Sequence, residues 1–108
     1  MSFTVTNKSV HGQMSGTTAQ EVQILTGASE GTIVKTLELV NPSSASCNVD
    51  VIRKDAGGTA YATIPVGMKA NDYLVLWEGF YAIPSGHTLW IKANSAQCVA
   101  VASVIERN

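Results

Sequence analysis

The chain is predicted to fold as a single-domain, all-β antiparallel sandwich of jelly-roll type, with about eight strands. Three observations predict it. Apolar residues recur at every second position in run after run, the period of a half-buried strand. Turn signals rich in Gly, Pro, Asn and Ser separate these runs at short intervals. No stretch carries a helical period.

Phe3 and Val5 with the intervening threonines open a short first strand. From Lys8 to Thr18 the chain is polar and glycine-bearing, with no apolar face, and reads as a long loop or extended arm. This divides the chain into an N-terminal strand and arm at 1–18 and a sandwich at 19–108. Val22 and Ile24 alternate in Glu21 to Thr26, a second strand, and 27–31 is a turn. Thr32 to Asn41 is a long strand, with Ile33, Leu37 and Leu39 expected on one face and Val34, Glu38 and Val40 on the other. Asn41-Pro42-Ser43-Ser44 stops it with the residues of a type I turn. Cys47, Val49 and Val51 are expected inward on the next strand, which ends at Lys54. Asp55-Ala56-Gly57-Gly58 closes a hairpin into Thr59 to Ile64, and 65–72 is a connection.

Tyr73 to Ala93 holds both tryptophans, two of the three tyrosines and one of the two phenylalanines. It reads as two strands joined at Ile83-Pro84-Ser85-Gly86, a type I turn, with the aromatics supplying much of the buried area. Tyr73, Val75 and Trp77 share a face there, which makes Trp77 core. After a turn at 94–97, Cys98 to Glu106 is apolar on both faces, Val99, Val101 and Ile105 forming the second, so a covering is expected on each side.

Composition limits the function. Charged residues make up 14% of the chain, below the roughly 25% usual for soluble domains, and a surface so poor in charge favours burial against other subunits. The net charge is −1, and the adjacent basic pair Arg53-Lys54 is followed at once by Asp55, which speaks against binding nucleic acid through phosphate. No apolar run reaches the length of a membrane span, and the N-terminus lacks a basic-then-apolar leader, so the chain is expected to be made in the cytoplasm without a secretion signal. Cys47 and Cys98 have no metal-ligand spacing and read as buried, reduced thiols, although a bridge between packed strands is geometrically open to them.

Chemistry is hard to find. The acids are scattered, His11 sits in the loosest part of the chain, and His87 follows a turn glycine. Gly57-Gly58 lacks the spacing and the helix of a phosphate loop. Neither a catalytic group, a cofactor site nor a metal site is expected. A second class is a carbohydrate-binding module, with Trp77, Phe80, Tyr81 and Trp90 as a stacking platform. The third is an assembly protein. Low charge, the N-terminal stretch and a last strand apolar on both faces agree with it. Its expected contact residues are His11, Gln13 and Met14 in the arm, Phe80 and Tyr81 at the aromatic corner, and Trp90.

The run from Thr32 to Asn41, a small polar turn and Asn48-Val49-Asp50-Val51 is similar to a strand–Asn–turn–strand pattern of small virion proteins of tailed bacteriophages. Trp77-Glu78-Gly79-Phe80, Ser85 to Ala93, and the closing Val99 to Glu106 continue the likeness, which covers residues 20 to 106. The resemblance implies a β-sandwich or jelly-roll subunit of the virion, a symmetric homo-oligomer without catalytic residues. It would contact the major capsid protein as a decorating or stapling protein; the alternative is a neck, tail or fibre-attachment component. This sequence departs from the pattern at His87, where the family commonly has Asp, and in 8–18, which has no clear counterpart.

Overall fold

The structure is a computed structural model that describes residues 4–13, 21–93 and 98–108, with the backbone alone described at Gln13, Glu78 and Phe80. Eight strands form among the described residues: β1 Val5–Gln13, β2 Glu21–Thr26, β3 Thr32–Asn41, β4 Cys47–Lys54, β5 Ala60–Met68, β6 Asp72–Ile83, β7 Thr88–Ala93 and β8 Val99–Arg107. They make two four-stranded sheets, ordered β1-β8-β3-β6 and β2-β7-β4-β5. First pairs with last, second with seventh, third with sixth and fourth with fifth, all antiparallel. This nesting is the jelly roll, and the predicted fold class holds. The core lies between the sheets, where Val34, Leu37, Leu39, Val49, Val51, Leu89, Ile91, Ala100 and Ala102 are buried.

The structure corrects several local expectations. β1 runs to Gln13, six residues into the stretch read as arm, because Lys8 to Gln13 pair along β8 from Val104 to Val99. Backbone pairing needs no apolar pattern, so a polar edge strand looks like a loop in sequence. The remainder of that arm, Met14 to Thr18, lies outside the described residues, as does the turn at 94–97. β5 continues through Pro65 to Met68; it is an edge strand, where the missing N–H of proline costs no ladder bond. The turn into β6 shortens to 69–71, with Asn71 at φ 54°.

Two further corrections come from bulges. The β3–β6 register shifts between Val34 and Thr36 and again between Leu37 and Glu38. An extra residue reverses which positions face inward beyond it. Val34 therefore joins Leu37 and Leu39 in the core, while Ile33 is half-buried on the outer side. On β6 the second shift leaves Trp77 opposite Leu37 and Val75 opposite Glu38. Trp77 is core, as expected, but it does not share a face with Tyr73, which is 56% exposed.

Turns pin one end of the sandwich. The β6–β7 turn closes one residue later than predicted: His87 N donates to Pro84 O at 3.1 Å, and Gly86 takes φ 77° at the third position, where type II turns require glycine. Gly27 locks this turn to the β2–β3 turn, its N–H donating to His87 O at 2.8 Å and its carbonyl accepting from Gly86 N at 3.1 Å. A Cβ at Gly27 would land on the Pro84 carbonyl, which is backbone and cannot step aside. Gly27→Ala is expected to cost about 1–3 kcal/mol in urea unfolding, as overpacked sites do. A cost within experimental error would show that the two turns can spread.

Candidate functional site

Residues directly opposite on antiparallel strands share a face, so the registers define what each sheet shows to its outside. On the first sheet one row reads Asn7, Ile105, Ile33 and Ala82, and another His11, Val101, Glu38 and Val75. A third places Gln13, Val99, Val40 and Tyr73 in register. A polar row, with Ser9, Ser103 and Thr36 in register, lies between the first of these rows and the second, so Ile33 and Ile105 stand apart from a smaller apolar field of Val40, Val75, Val99 and Val101, all of them half-buried. Every described strand belongs to one of the two sheets, so no described strand lies over this field. Among the described residues the covering expected on both faces of β8 is present on the inner face, where Ala100, Ala102 and Val104 are buried.

The second sheet is unlike it. Its outer rows read Glu21, Lys92, Asp50 and Pro65, then Gln23, Trp90, Ile52 and Thr63, then Thr26 and Thr88 beside Lys54. Opposite charges alternate across the first row. Trp90 is half-buried, its indole N–H donating to Thr88 Oγ1 at 2.7 Å, with the Lys54 ammonium 4.1 Å from its ring centroid. Lys54 also pairs with Glu21. The strand that carries Trp90 is flanked by β2 and β4, so the indole stands in the middle of a charged sheet face.

A third feature closes the side where β5 and β6 form the sheet edges. Trp77 and Tyr81 stack at 3.9 Å and 6°. The Arg53 guanidinium lies 4.5 Å from the Tyr81 centroid and 5.1 Å from that of Tyr61. Its Nη atoms donate to Tyr81 Oη at 2.9 Å and to Ala82 O at 2.8 Å, while its Nε is buried with no partner among the described residues. His87 meets Tyr61 edge to face at 5.6 Å, with Nδ1 and the Tyr61 hydroxyl 3.4 Å apart. Guanidinium stacking between phenol rings lets a partly buried cation keep favourable contacts.

The structure does not gather the six predicted contact residues in one place. His11 is exposed at the β1 edge of the apolar field, and Gln13 is in register with Val99 beside it. Met14 lies outside the described residues, and Phe80 is placed only by its backbone in β6. Tyr81 is not an exposed corner aromatic. It faces the core opposite Val34, with Trp77 on one side of its ring and Arg53 over the other. Trp90 is on the far sheet. The apolar field itself, with Val40 and Val75 as members, was not among the candidates, although the doubly apolar β8 signalled it. Among the described residues no grouping of three His, Cys, Asp or Glu could hold a metal, and no pocket is found.

No protein-family model matches the chain, and no curated protein matches it. Among solved structures, the crystal structure of PirA is similar at TM-score 0.47 and 12% identity, over 96% of this chain and 93% of that one. The structure of infectious bursal disease virus Gx strain is similar at TM-score 0.44 and 11% identity over 95% of this chain, which spans 31% of the viral chain. A carbohydrate-binding module, CBM36 in complex with calcium and xylotriose, is similar at TM-score 0.34 and 12% identity, over 95% and 99% of the two chains. At these identities and scores none of the three carries an argument about what this chain binds or does.

Proposed function

We propose that the chain is a non-enzymatic structural subunit of a tailed-phage particle, decorating or stapling the capsid through the outer face of its first sheet. The observation that supports this reading is the contrast between the two outer faces. A solvated antiparallel sheet alternates apolar-in and polar-out, and the second sheet comes nearer to this, with charged and threonine rows flanking Trp90 and Ile52 on its outer side. The first instead presents valine and isoleucine from its two central strands and from β6 on its outer side. The four valines Val40, Val75, Val99 and Val101 lie together on adjacent rows, and an apolar patch of this kind supports a face that another subunit covers. His11 and Glu38 stand in the row of Val101 and Val75, beside the polar Ser9, Ser103 and Thr36, and supply polar register to the contact. The aromatic side chains speak less well for a sugar platform, since Tyr81 is stacked on both sides and Trp90 carries the Lys54 ammonium.

Val101→Lys tests the reading. The new ammonium would stand opposite Glu38 on an outward position of β8, so the fold should lose no more than about 1 kcal/mol. Sedimentation with undecorated capsids should weaken at least about tenfold, as when a charge is placed in the centre of an apolar contact. Thr63→Lys, on the second sheet, should bind as the parent does. Unchanged sedimentation of Val101→Lys, or its loss in Thr63→Lys instead, would overturn the assignment of the face. A parent protein that forms a discrete ring and ignores capsids would move the proposal to the neck or tail.

A further inference from the structure

Cys47 opens β4 in one sheet, and Cys98 immediately precedes β8 in the other. Their sulfur atoms meet across the core at 2.8 Å, one thiol donating to the other. They are 3% and 2% exposed, and both are free. A polar neighbour of the pair is Asn41, whose Oδ1 lies 3.9 Å from Cys98 Sγ. Asn41 is itself held by its donations to Ala45 O and Lys69 O. A zinc ion would need four donors, and no third His, Cys, Asp or Glu stands here among the described residues.

We infer that Cys47 and Cys98 are a disulfide site. The pair closes into a bridge between the two sheets when the chain folds in the presence of a small-molecule disulfide such as glutathione disulfide. The sulfurs need to approach by only about 0.8 Å to reach bonding distance, a movement within reach of side-chain rotation. In the first step a cysteine thiolate attacks the small disulfide, forming a mixed disulfide and expelling one small thiolate, which takes up the proton that the cysteine gave up. In the second, the other cysteine, deprotonated in turn, attacks the protein sulfur of that mixed disulfide and expels the second small thiol. The two cysteines together lose two protons and two electrons, and the small disulfide is reduced to two thiols.

The same burial dictates when this happens. Desolvation first, then the hydrogen bond to Cys98 and its charge, push the Cys47 thiol up from 9.0 to about 12. Thiolate is therefore scarce in the folded chain at neutral pH, and exchange runs through the thiolate. Bridging belongs to the folding chain or to an opened one, and a chain folded in a reducing compartment keeps the dithiol. The bridge would join residues 51 apart in sequence, a long loop whose closure removes much of the freedom of the unfolded chain.

The experiment is to unfold and reduce the full chain, then refold it with and without a glutathione disulfide and glutathione mixture. Intact mass, thiol alkylation under denaturing conditions and Tm are then read. The expected product of oxidative refolding is a monomer two hydrogens lighter, without alkylatable thiol, and with Tm raised by more than about 10 °C over the dithiol form. Cys47→Ala and Cys98→Ala should each show the same Tm in both buffers. Should either variant fail to fold, the mass and alkylation of the parent still decide. The proposal is overturned if the parent refolds under oxidising conditions with both thiols free, if it arrests as a stable glutathione adduct, or if the bridged form melts no higher than the dithiol.

Discussion

Trp77→Ala is expected to lower the unfolding free energy by about 3–5 kcal/mol, the range for truncating a large buried aromatic. Small domains have roughly 5–15 kcal/mol in hand, so the variant should sit close to its folding threshold. The loss has two parts. One is the cavity left opposite Leu37, with which Trp77 is in register. The other is the stack with Tyr81 at 3.9 Å, which also backs the ring that Arg53 covers from its other side. Removing the indole frees Tyr81 and loosens a guanidinium whose Nε is already buried with no partner among the described residues. Trp77→Phe should recover most of the loss, because an aromatic face remains for Tyr81. Urea unfolding followed by Trp90 fluorescence measures both variants. A Trp77→Ala cost below about 1 kcal/mol would show that the β5–β6 side of the sandwich closes without this column.

Asn41→Ala is the second large effect, about 2–4 kcal/mol, and its origin is polar. Asn41 is fully buried, at 0% exposure, at the end of β3. Its Nδ2 donates to Ala45 O and to Lys69 O, both at 2.9 Å, and its Oδ1 accepts from Ser43 N at 3.2 Å. One side chain thereby joins the turn after β3 to the turn between β5 and β6, across the two sheets. Alanine would take this partner from the Lys69 carbonyl and the Ser43 amide, each costing about 1–3 kcal/mol where water cannot replace it, while Ala45 O keeps the Ser43 hydroxyl at 2.8 Å. Asn41→Asp should be worse at neutral pH, since a carboxylate cannot donate and would face both carbonyls. Thermal unfolding of the three proteins ranks them. An Asn41→Ala protein as stable as the parent would mean that the two turns find other partners.

These two residues illustrate what could be read ahead of the structure. The turn beginning at Asn41 was legible from Asn-Pro-Ser-Ser, since a short amide side chain bonding to the backbone two residues on is a local event. The bond from Asn41 to Lys69 was not, because nothing local links positions 28 apart. Trp77 was placed in the core for the wrong reason. Simple alternation grouped it with Tyr73 and Val75, and the bulge in β6 moved it to the side of Leu37. The setting of Tyr81 was hidden for another long-range reason. An aromatic next to a turn looks exposed until a cation from another strand covers it, as Arg53 covers Tyr81.

The amino-acid sequence by itself determined the class of fold, the number of strands and most of their ends. Those follow from a two-residue period and from turn residues whose preferences act over three or four positions. It also carried the signal of a last strand apolar on both faces. Only the tertiary structure decided which sheet each strand joins, which side of β3 and β6 faces inward, and that Cys47 and Cys98 meet. Pairing between distant strands is a choice among registers of similar local energy, and one bulge exchanges the two faces of everything beyond it.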